Sequence, residues 1–402
     1  MFKKFIVFIP ILLIILLSNC GIKKEQLEFD KALSLFFNLK YQDALPLFKQ
    51  VIEQEPNNDE ALTWLAETYR RIGKTNDAIE AARKALLLNP RSSFAHLVIA
   101  YASYPNDDSI WVHAKEAVKC DSTDPNAWLM MWGEAIKHNN LALHDKTLRK
   151  LRETGFLTKA ALAYGRVELR DLPPNAIYIT NGDMDTYPAK VVQISESFRT
   201  DIVVIEKEHL GINWAARFIR DHNHIPLPIS DAELDKMKVL KDAHGNIIST
   251  SEQNFRKWIE QKRKGSFNRP IALAPTVEQS YYEFDKEHFH YCGMYLLWKP
   301  EPAGDISDTS ALRQYLSEIN IDDFTGPWAS LKDRSPVRRY YSKQIVRVLF
   351  QAALNYSRDL ITAKRFNEAK QTLTWVEVFE KQTEIGLVST DEINKLKEIM
   401  KE

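Results

Sequence analysis

Glycine is scarce in this 402-residue chain, with 13 in all, and no G-x-G-x-x-G or G-x-x-x-x-G-K-[ST] string occurs. Dinucleotide and P-loop chemistry therefore lack their phosphate cradles. Charge of one sign is also missing. Lys+Arg and Asp+Glu both number 54, so the formal net charge is zero, and the broad basic field that non-specific nucleic-acid binding needs is absent. The three cysteines, Cys20, Cys120 and Cys292, make neither a disulfide framework nor a zinc spacing. Cys120 and Cys292 read as two isolated buried thiols; a bridge between them is the other reading, which export would permit. No Ser/His/Asp or Cys/His constellation can be placed, so nucleophilic catalysis has no candidate. What is present is ordinary globular material, 45% apolar and 27% charged, in a length that predicts two or three folding units.

The first twenty residues read as an address. Lys3 and Lys4 precede an apolar run of 13 residues, Phe5 to Leu17, interrupted by Pro10. That run is shorter than the roughly 20 residues of a spanning helix and has the charge order of a secretory leader. It ends Leu17-Ser18-Asn19-Cys20-Gly21, which resembles the bacterial lipobox. The resemblance implies cleavage before Cys20, diacylglycerol on its sulfur and acylation such as palmitate. Asn19 departs from the small residue usual before the cysteine. Acyl chains at about 0.8 kcal/mol per buried CH₂ would hold the protein on a membrane. Gly21 is not the Asp that retains some lipoproteins in the inner membrane, so the outer membrane of a cell envelope is expected, at its periplasmic or surface face. Residues 20–26 read as an anchor stalk.

A period follows at once. Ala44, Phe48, Val51 and Pro56 recur as Ala78, Ala82, Ala85 and Pro90, each 34 residues on. Leu62, Leu65 and Tyr69 fall at helical spacing, and Asn57-Asn58-Asp59 and Gly73-Lys74-Thr75 supply the breaks. These residues resemble the tetratricopeptide pattern. A degenerate third copy runs through Ala100, Ala117 and Pro125, and a weaker fourth through Trp128 to Glu153. Such arrays bury their faces by stacking and offer a curved surface for peptides or proteins. Trp64 reads as core, and Arg70, Arg71, Lys74, Arg83 and Lys84 as a solvated face.

After Leu172-Pro173-Pro174-Asn175 the period changes. Ala176–Thr180 and Asp201–Ile205 read as buried strands either side of a helix over Tyr187–Phe198, a β-α-β unit with a parallel pair. Further elements are a helix over Gly211–His222, a hairpin about His244-Gly245, a helix over Phe255–Lys264, and strands at Ile271–Ala274 and Met294–Trp298. The strings Leu-Pro-Pro-Asn-Ala-Ile, Thr-Asn-Gly-Asp-x-Asp-Thr-Tyr-Pro, Arg-Thr-Asp-Ile-Val-Val-Ile and Arg-Pro-Ile-Ala-Leu-Ala-Pro-Thr-Val occur in this order across 170–302. They resemble the soluble C-terminal region of bacterial protein O-mannosyltransferase-like membrane glycosyltransferases. In that family the transferase activity is assigned to a multi-span membrane domain, and this sequence has none. The resemblance implies a shared accessory fold and a glycan context, without transferase activity.

Asn181, Asp183, Asp185 and Thr186 form the candidate ligand loop, since α/β sheets bind ligands at the carboxyl ends of their strands. Asp183 and Asp185 either hold a divalent cation or serve the loop itself, with Asp185 or Thr186 capping the next helix. Two His-x-His pairs, His222/His224 and His288/His290, read as separate surface or capping histidines rather than metal ligands. The tail is helical over Arg338–Ile361, Phe366–Glu384 and Thr390–Lys401, and Lys332, Arg334, Arg338, Arg339, Lys343 and Arg347 form a basic stretch, read as a solvated face.

The expected architecture is thus α plus α/β: a leader at 1–19, a stalk at 20–26, an N-terminal α-solenoid of tetratricopeptide-like repeats at 27–168, a small α/β domain at 169–302 and a helical, repeat-like region at 303–402. The expected function is scaffolding: a lipid-anchored protein holding an envelope protein or peptide in its repeat groove, with no cofactor and no catalytic residue. The alternative is a glycan-related enzyme, or a sugar-nucleotide- or metal-binding accessory subunit, using the Asp183/Asp185 loop.

Overall fold

Alanines recur in the first unit wherever two helices must touch. A computed structural model describes residues 24–103, 108–242, 244–303, 312, 316–324, 336–383 and 390–400. The leader, Cys20, Lys332 and Arg334 lie outside them. The chain divides into two compact units between Ser122 and Thr123. In the first unit the helices are α1 (Lys24–Phe37), α2 (Tyr41–Gln54), α3 (Asp59–Arg71), α4 (Thr75–Leu88), α5 (Ser93–Ser103) and α6 (Ser109–Cys120). α1 begins inside the expected stalk, because Lys24, Glu25 and Gln26 are good helix formers. Ala44, Ala61, Ala66, Ala78, Ala82 and Ala85 are fully buried, and their small side chains let the helix axes approach. The Asn58 side chain accepts the Ala61 N–H at 2.9 Å and starts α3. Gly73, at φ +79, makes the left-handed turn into α4. Trp64 is buried, as expected, edge-on to Phe36, Phe37 and Phe94. Arg70 and Arg71 pair with Glu67, and Lys84 with Glu80.

The second unit opens with α7 (Pro125–Lys137), α8 (Leu141–Glu153) and α9 (Lys159–Arg170). The expected repeat region 27–168 is thereby shared between the two units. Then come β1 (Ile177–Thr180), α10 (Asp183–Glu196), β2 (Val203–Glu206), α11 (Asn213–Asn223), α12 (Asp231–Leu234), β3 (Leu240–Lys241), β4 (Ile247–Ile248), α13 (Thr250–Arg263), β5 (Ile271–Leu273), α14 (Gln279–Tyr282), β6 (Phe289–Tyr291) and β7 (Leu296–Trp298). The tail holds α15 (Pro336–Thr362), α16 (Phe366–Thr383) and α17 (Thr390–Ile399).

Five strands form one sheet in the order β2-β1-β5-β7-β6. β1 lies parallel to β2, Tyr178 opposite Val204, and parallel to β5, Tyr178 opposite Ala272. β7 turns antiparallel to β5, and β6 to β7. Every residue of β1 is buried, as a central strand covered on both faces requires. Ile177, Ile179, Val204, Ile205, Ile271 and Leu273 share a core with Phe255 and Trp258 of α13. The expected hairpin about Gly245 is the β3–β4 pair. A second core joins Ala160 and Tyr164 of α9 to Leu349 and Phe350 of α15 and Val376 and Phe379 of α16. Arg199, at φ +47, ties the strands to α9: its guanidinium donates to the carbonyls of Leu169, Arg170 and Leu172 at 2.9, 2.6 and 2.8 Å and to both oxygens of Asp201. Cys120 is half-buried and Cys292 buried, and the two are not bridged to each other. Among the described residues no helix is long and apolar enough to cross a membrane.

Candidate functional site

From β1 the chain passes through α10 to β2 on one side, while β5 lies on the other. Loops leaving the carboxyl ends of β1 and β5 therefore part at a switch point, where open α/β sheets bind ligands. The expected site loop is there, but its Asp185 and Thr186 side chains are engaged within the fold. The Asn181 N–H donates to Asp185 Oδ2 at 2.8 Å, the Gly182 N–H to Asp185 Oδ1 at 2.9 Å, and the Thr276 hydroxyl, after β5, to Asp185 Oδ2. Thr186 and Thr180 share a hydrogen bond of 2.6 Å between their hydroxyls. Asp185 and Thr186 are buried. Asp183 is exposed, and its Oδ1 accepts from the Tyr187 hydroxyl at 3.2 Å. Gly182, in extended backbone, is the cap residue, and Asp185 is the third residue of the helix rather than its cap. The helix begins at Asp183, four residues before the expected Tyr187, because the Asp185 carboxylate satisfies the two amides preceding it. Burial raises the Asp185 pKa against these hydrogen bonds, Thr276 first.

Among the described residues no three His, Cys, Asp or Glu side chains converge as a metal set would. The histidine pairs part company. His222 Nε2 meets the Asn139 carbonyl at 3.3 Å, and His224 is the left-handed C-cap of α11. His288 Nδ1 lies 2.8 Å from the buried Asp285, while His290 Nε2 meets the Glu301 carbonyl at 2.8 Å. His290 stands on β6, a strand absent from the sequence reading.

A second group of side chains, which sequence reasoning missed, lies beside β2. α7 supplies Trp132, α8 His144, α10 Lys190, the end of β2 Glu206, and the 3₁₀ turn after it His209. The Trp132 ring sits 5.9 Å from the His144 ring and 5.7 Å from that of His209. His209 Nε2 is 3.7 Å from Glu206 Oε2. His144 Nδ1 is 2.9 Å from Asp145 Oδ1. Burial governs the protonation of all four titratable groups. It brings Lys190 down to about 8 against the pull of Glu206 and Asp145. It pushes Glu206 up to about 8, helped by Asp183 and Asp185. It takes His144 down to about 4 and His209 to about 3. At neutral pH both imidazoles are thus uncharged, and the His209–Glu206 contact is not an ion pair. A cavity of about 150 Å³ opens here, lined by His144, Asp145 and Lys190 with Leu148, Val204 and Phe218. One signal does point to it. Tyr187, Lys190, Val191 and Ile194 fall at i, i+3, i+4 and i+7, so a lysine occupies the apolar stripe of α10.

The first unit carries an opening of another kind. Ile52 of α2, Leu62, Leu65 and Tyr69 of α3, and Leu87 and Leu88 of α4 line an apolar cleft of about 430 Å³. Leu87 is 84% exposed, and Asp77, Glu80 and Lys84 rim the cleft.

Residues 40–100 match the tetratricopeptide repeat family, and residues 161–263 match TMEM260-associated domain 2. The latter match does not show the glycosyltransferase likeness expected for residues 170–302. Among solved structures, the chain is similar to TTC0263, a thermophilic tetratricopeptide protein of Thermus thermophilus, at 17% identity over 52% of this chain and 95% of that one, with a TM-score of 0.32. MamA is similar at 15% identity over 51% and 97%, with a TM-score of 0.30, and the tetratricopeptide domain of P58(IPK) at 15% over 94% and 98%, with a TM-score of 0.20. No curated protein matches the chain. The chain thus carries tetratricopeptide repeats, a fold that generally binds protein partners.

Proposed function

We propose that this chain is a lipid-anchored scaffold of a bacterial cell envelope. Its tetratricopeptide helices hold a protein or peptide partner, and acyl chains on Cys20 set its location. The observation that carries the reading is the apolar cleft between α2, α3 and α4, at which Leu87 and Leu88 stand open to solvent. Exposed leucines around a concavity suit apolar partner side chains. The Lys3/Lys4 leader ending at Cys20 supports the anchor. The alternative, a glycan-related enzyme using Asp183 and Asp185, draws no support from the loop, because Asp185 is committed to two backbone amides and Thr276.

The test is crosslinking and affinity capture from solubilised envelope with the full chain and with a Leu87→Glu, Leu88→Glu variant. The unaltered chain is expected to recover at least one protein that the variant loses, with thermal melting of the variant unchanged. Recovery of the same proteins by both sinks the groove reading.

A further inference from the structure

The ribbon of β3 and β4 is not part of the five-stranded sheet, and it shows apolar side chains to solvent. Val239 is 59% exposed, Leu240 52% and Ile247 68%. In the register Leu240 stands opposite Ile248, and Lys241 opposite Ile247. Successive strand residues point to opposite faces, so Leu240 and Ile247 bare apolar surface on both sides of the ribbon. A ribbon laid flat on its own fold, or on a flat partner surface, would hide one side.

The same segment gathers cations. Lys236, Lys238 and Lys241 are exposed, and among the described residues no side chain pairs with their ammonium groups. The carboxylates nearby are engaged elsewhere. Asp235 pairs with Arg217 and Asp231 with Arg220, both of α11. Glu233 closes the capping box of α12 on Ser230. Asp242 holds the turn, accepting from the His244 and Asn246 amides at 2.8 Å each. At the base, the Gln253 side chain of α13 donates to the Lys238 carbonyl at 2.9 Å and the Ile248 carbonyl at 3.3 Å. Both arms and the turn are thus fixed before any partner arrives. Lysine on a sheet edge blocks pairing with other strands, which leaves the three exposed apolar residues beside it without a purpose. Apolar surface on two sides, set among unpaired cations, matches the interface of a bilayer that contains anionic lipid. Hydrocarbon takes up both sides of the ribbon, and headgroup phosphates take the ammonium groups.

We propose that the β3–β4 ribbon is a membrane-contact wedge. Val239, Leu240 and Ile247 enter the acyl region of an anionic leaflet, and Lys236, Lys238 and Lys241 meet its phosphates. The contact does not depend on acylation of Cys20.

The test uses the full chain in vesicles. A photoreactive benzophenone side chain is placed at Val239, or at Leu87 as an exposed apolar comparison outside the ribbon, and its adducts are identified by mass spectrometry. In vesicles of phosphatidylglycerol and phosphatidylcholine, the probe at Val239 is expected to form phospholipid adducts and the probe at Leu87 few. The combined Lys236→Gln, Lys238→Gln, Lys241→Gln variant is expected to need roughly tenfold more lipid or more for half-maximal adduct yield, as three basic side chains near an anionic surface predict. Vesicles of phosphatidylcholine alone are expected to show the same loss with the unaltered lysines. All three lysines are exposed, so thermal melting of the variant is expected to be unchanged. Adducts to protein in place of lipid overturn the proposal. So do equal lipid adducts from both probes, or a yield that responds neither to the lysines nor to lipid charge. The Cys20→Ala chain is expected to keep the Val239 adducts, and their complete loss there also overturns it. Failure of the anchor is read separately, as vesicle flotation unchanged by Cys20→Ala.

Discussion

Arg199 commits its guanidinium to three carbonyls at the end of α9 and to the Asp201 carboxylate, so one side chain joins a helix terminus to the strand that follows. Arg199→Ala is expected to lower the stability of the second unit by about 2–3 kcal/mol, since several charge-assisted bonds are lost together. Arg199→Lys is expected to recover little, because an ammonium cannot reproduce the planar fork; urea midpoints of the two variants check this. Hydrogen bonding from Arg199 holds Asp201 at about 2, below its ordinary 3.8. Its contribution is therefore present above pH 3.8 and is lost as the pH falls through about 2. Glu168 has the opposite sign. It is buried, its Oε1 has no hydrogen-bond partner among the described residues, and Oε2 accepts from the Tyr178 hydroxyl at 3.3 Å. Burial, then the nearby Asp185, raises its pKa well above the ordinary 4.5. The folded chain keeps a proton there that the unfolded chain releases, so stability falls as the pH rises above 4.5. Glu168→Gln removes that dependence. Thermal melts are expected to show the variant more stable than the parent at about pH 8 and no more stable at about pH 4.

Helices α9 and α10 meet at Gly165. A Cβ built there would stand 2.5 Å from the Pro188 carbonyl carbon and 2.6 Å from its oxygen. Alanine in a helix is favoured over glycine by about 1 kcal/mol, but overpacking against backbone costs about 1–3 kcal/mol. The clash prevails because α10 must shift as a whole to relieve it, so Gly165→Ala is expected to lower the melting temperature of the second unit rather than raise it. The elements themselves differ in how plainly they are written. β1 and β2 are legible because strands covered on both faces read as unbroken apolar runs, Ile177-Tyr178-Ile179 and Ile202-Val203-Val204-Ile205. The repeat helices are legible because alanine spacing and the 34-residue offset agree. The start of α10 is not, since Asn181-Gly182-Asp183-Met184-Asp185-Thr186 reads as a loop, and only the folded carboxylate of Asp185 shows why the helix begins there. β6, three residues between a 3₁₀ turn and a bend, is too short to show a period. The cavity beside β2 draws on α8, α10 and α11, and short-range pattern carries no information about such a meeting.

For the whole molecule, location and partner choice are separable. Cys20→Ala is expected to shift the chain from the detergent-rich to the aqueous phase on Triton X-114 partitioning and to abolish palmitate incorporation, while capture through the cleft persists in detergent. A chain that partitions identically with and without Cys20 would remove the anchor from the proposal. The zero net charge adds no long-range attraction of the whole chain to anionic surfaces. The alanine seam of the first unit has a consequence for how this region tolerates change. Ala61, Ala66, Ala78, Ala82 and Ala85 have no exposed surface, so there is no room to enlarge them and almost nothing to trim. In a saturation-mutagenesis screen they would accept glycine or serine and reject leucine, valine and phenylalanine as firmly as lysine. Leu87, although one of the most apolar residues in the unit, would accept nearly anything for folding. A map of permitted substitutions would then run against hydrophobicity, with side-chain volume as the governing variable.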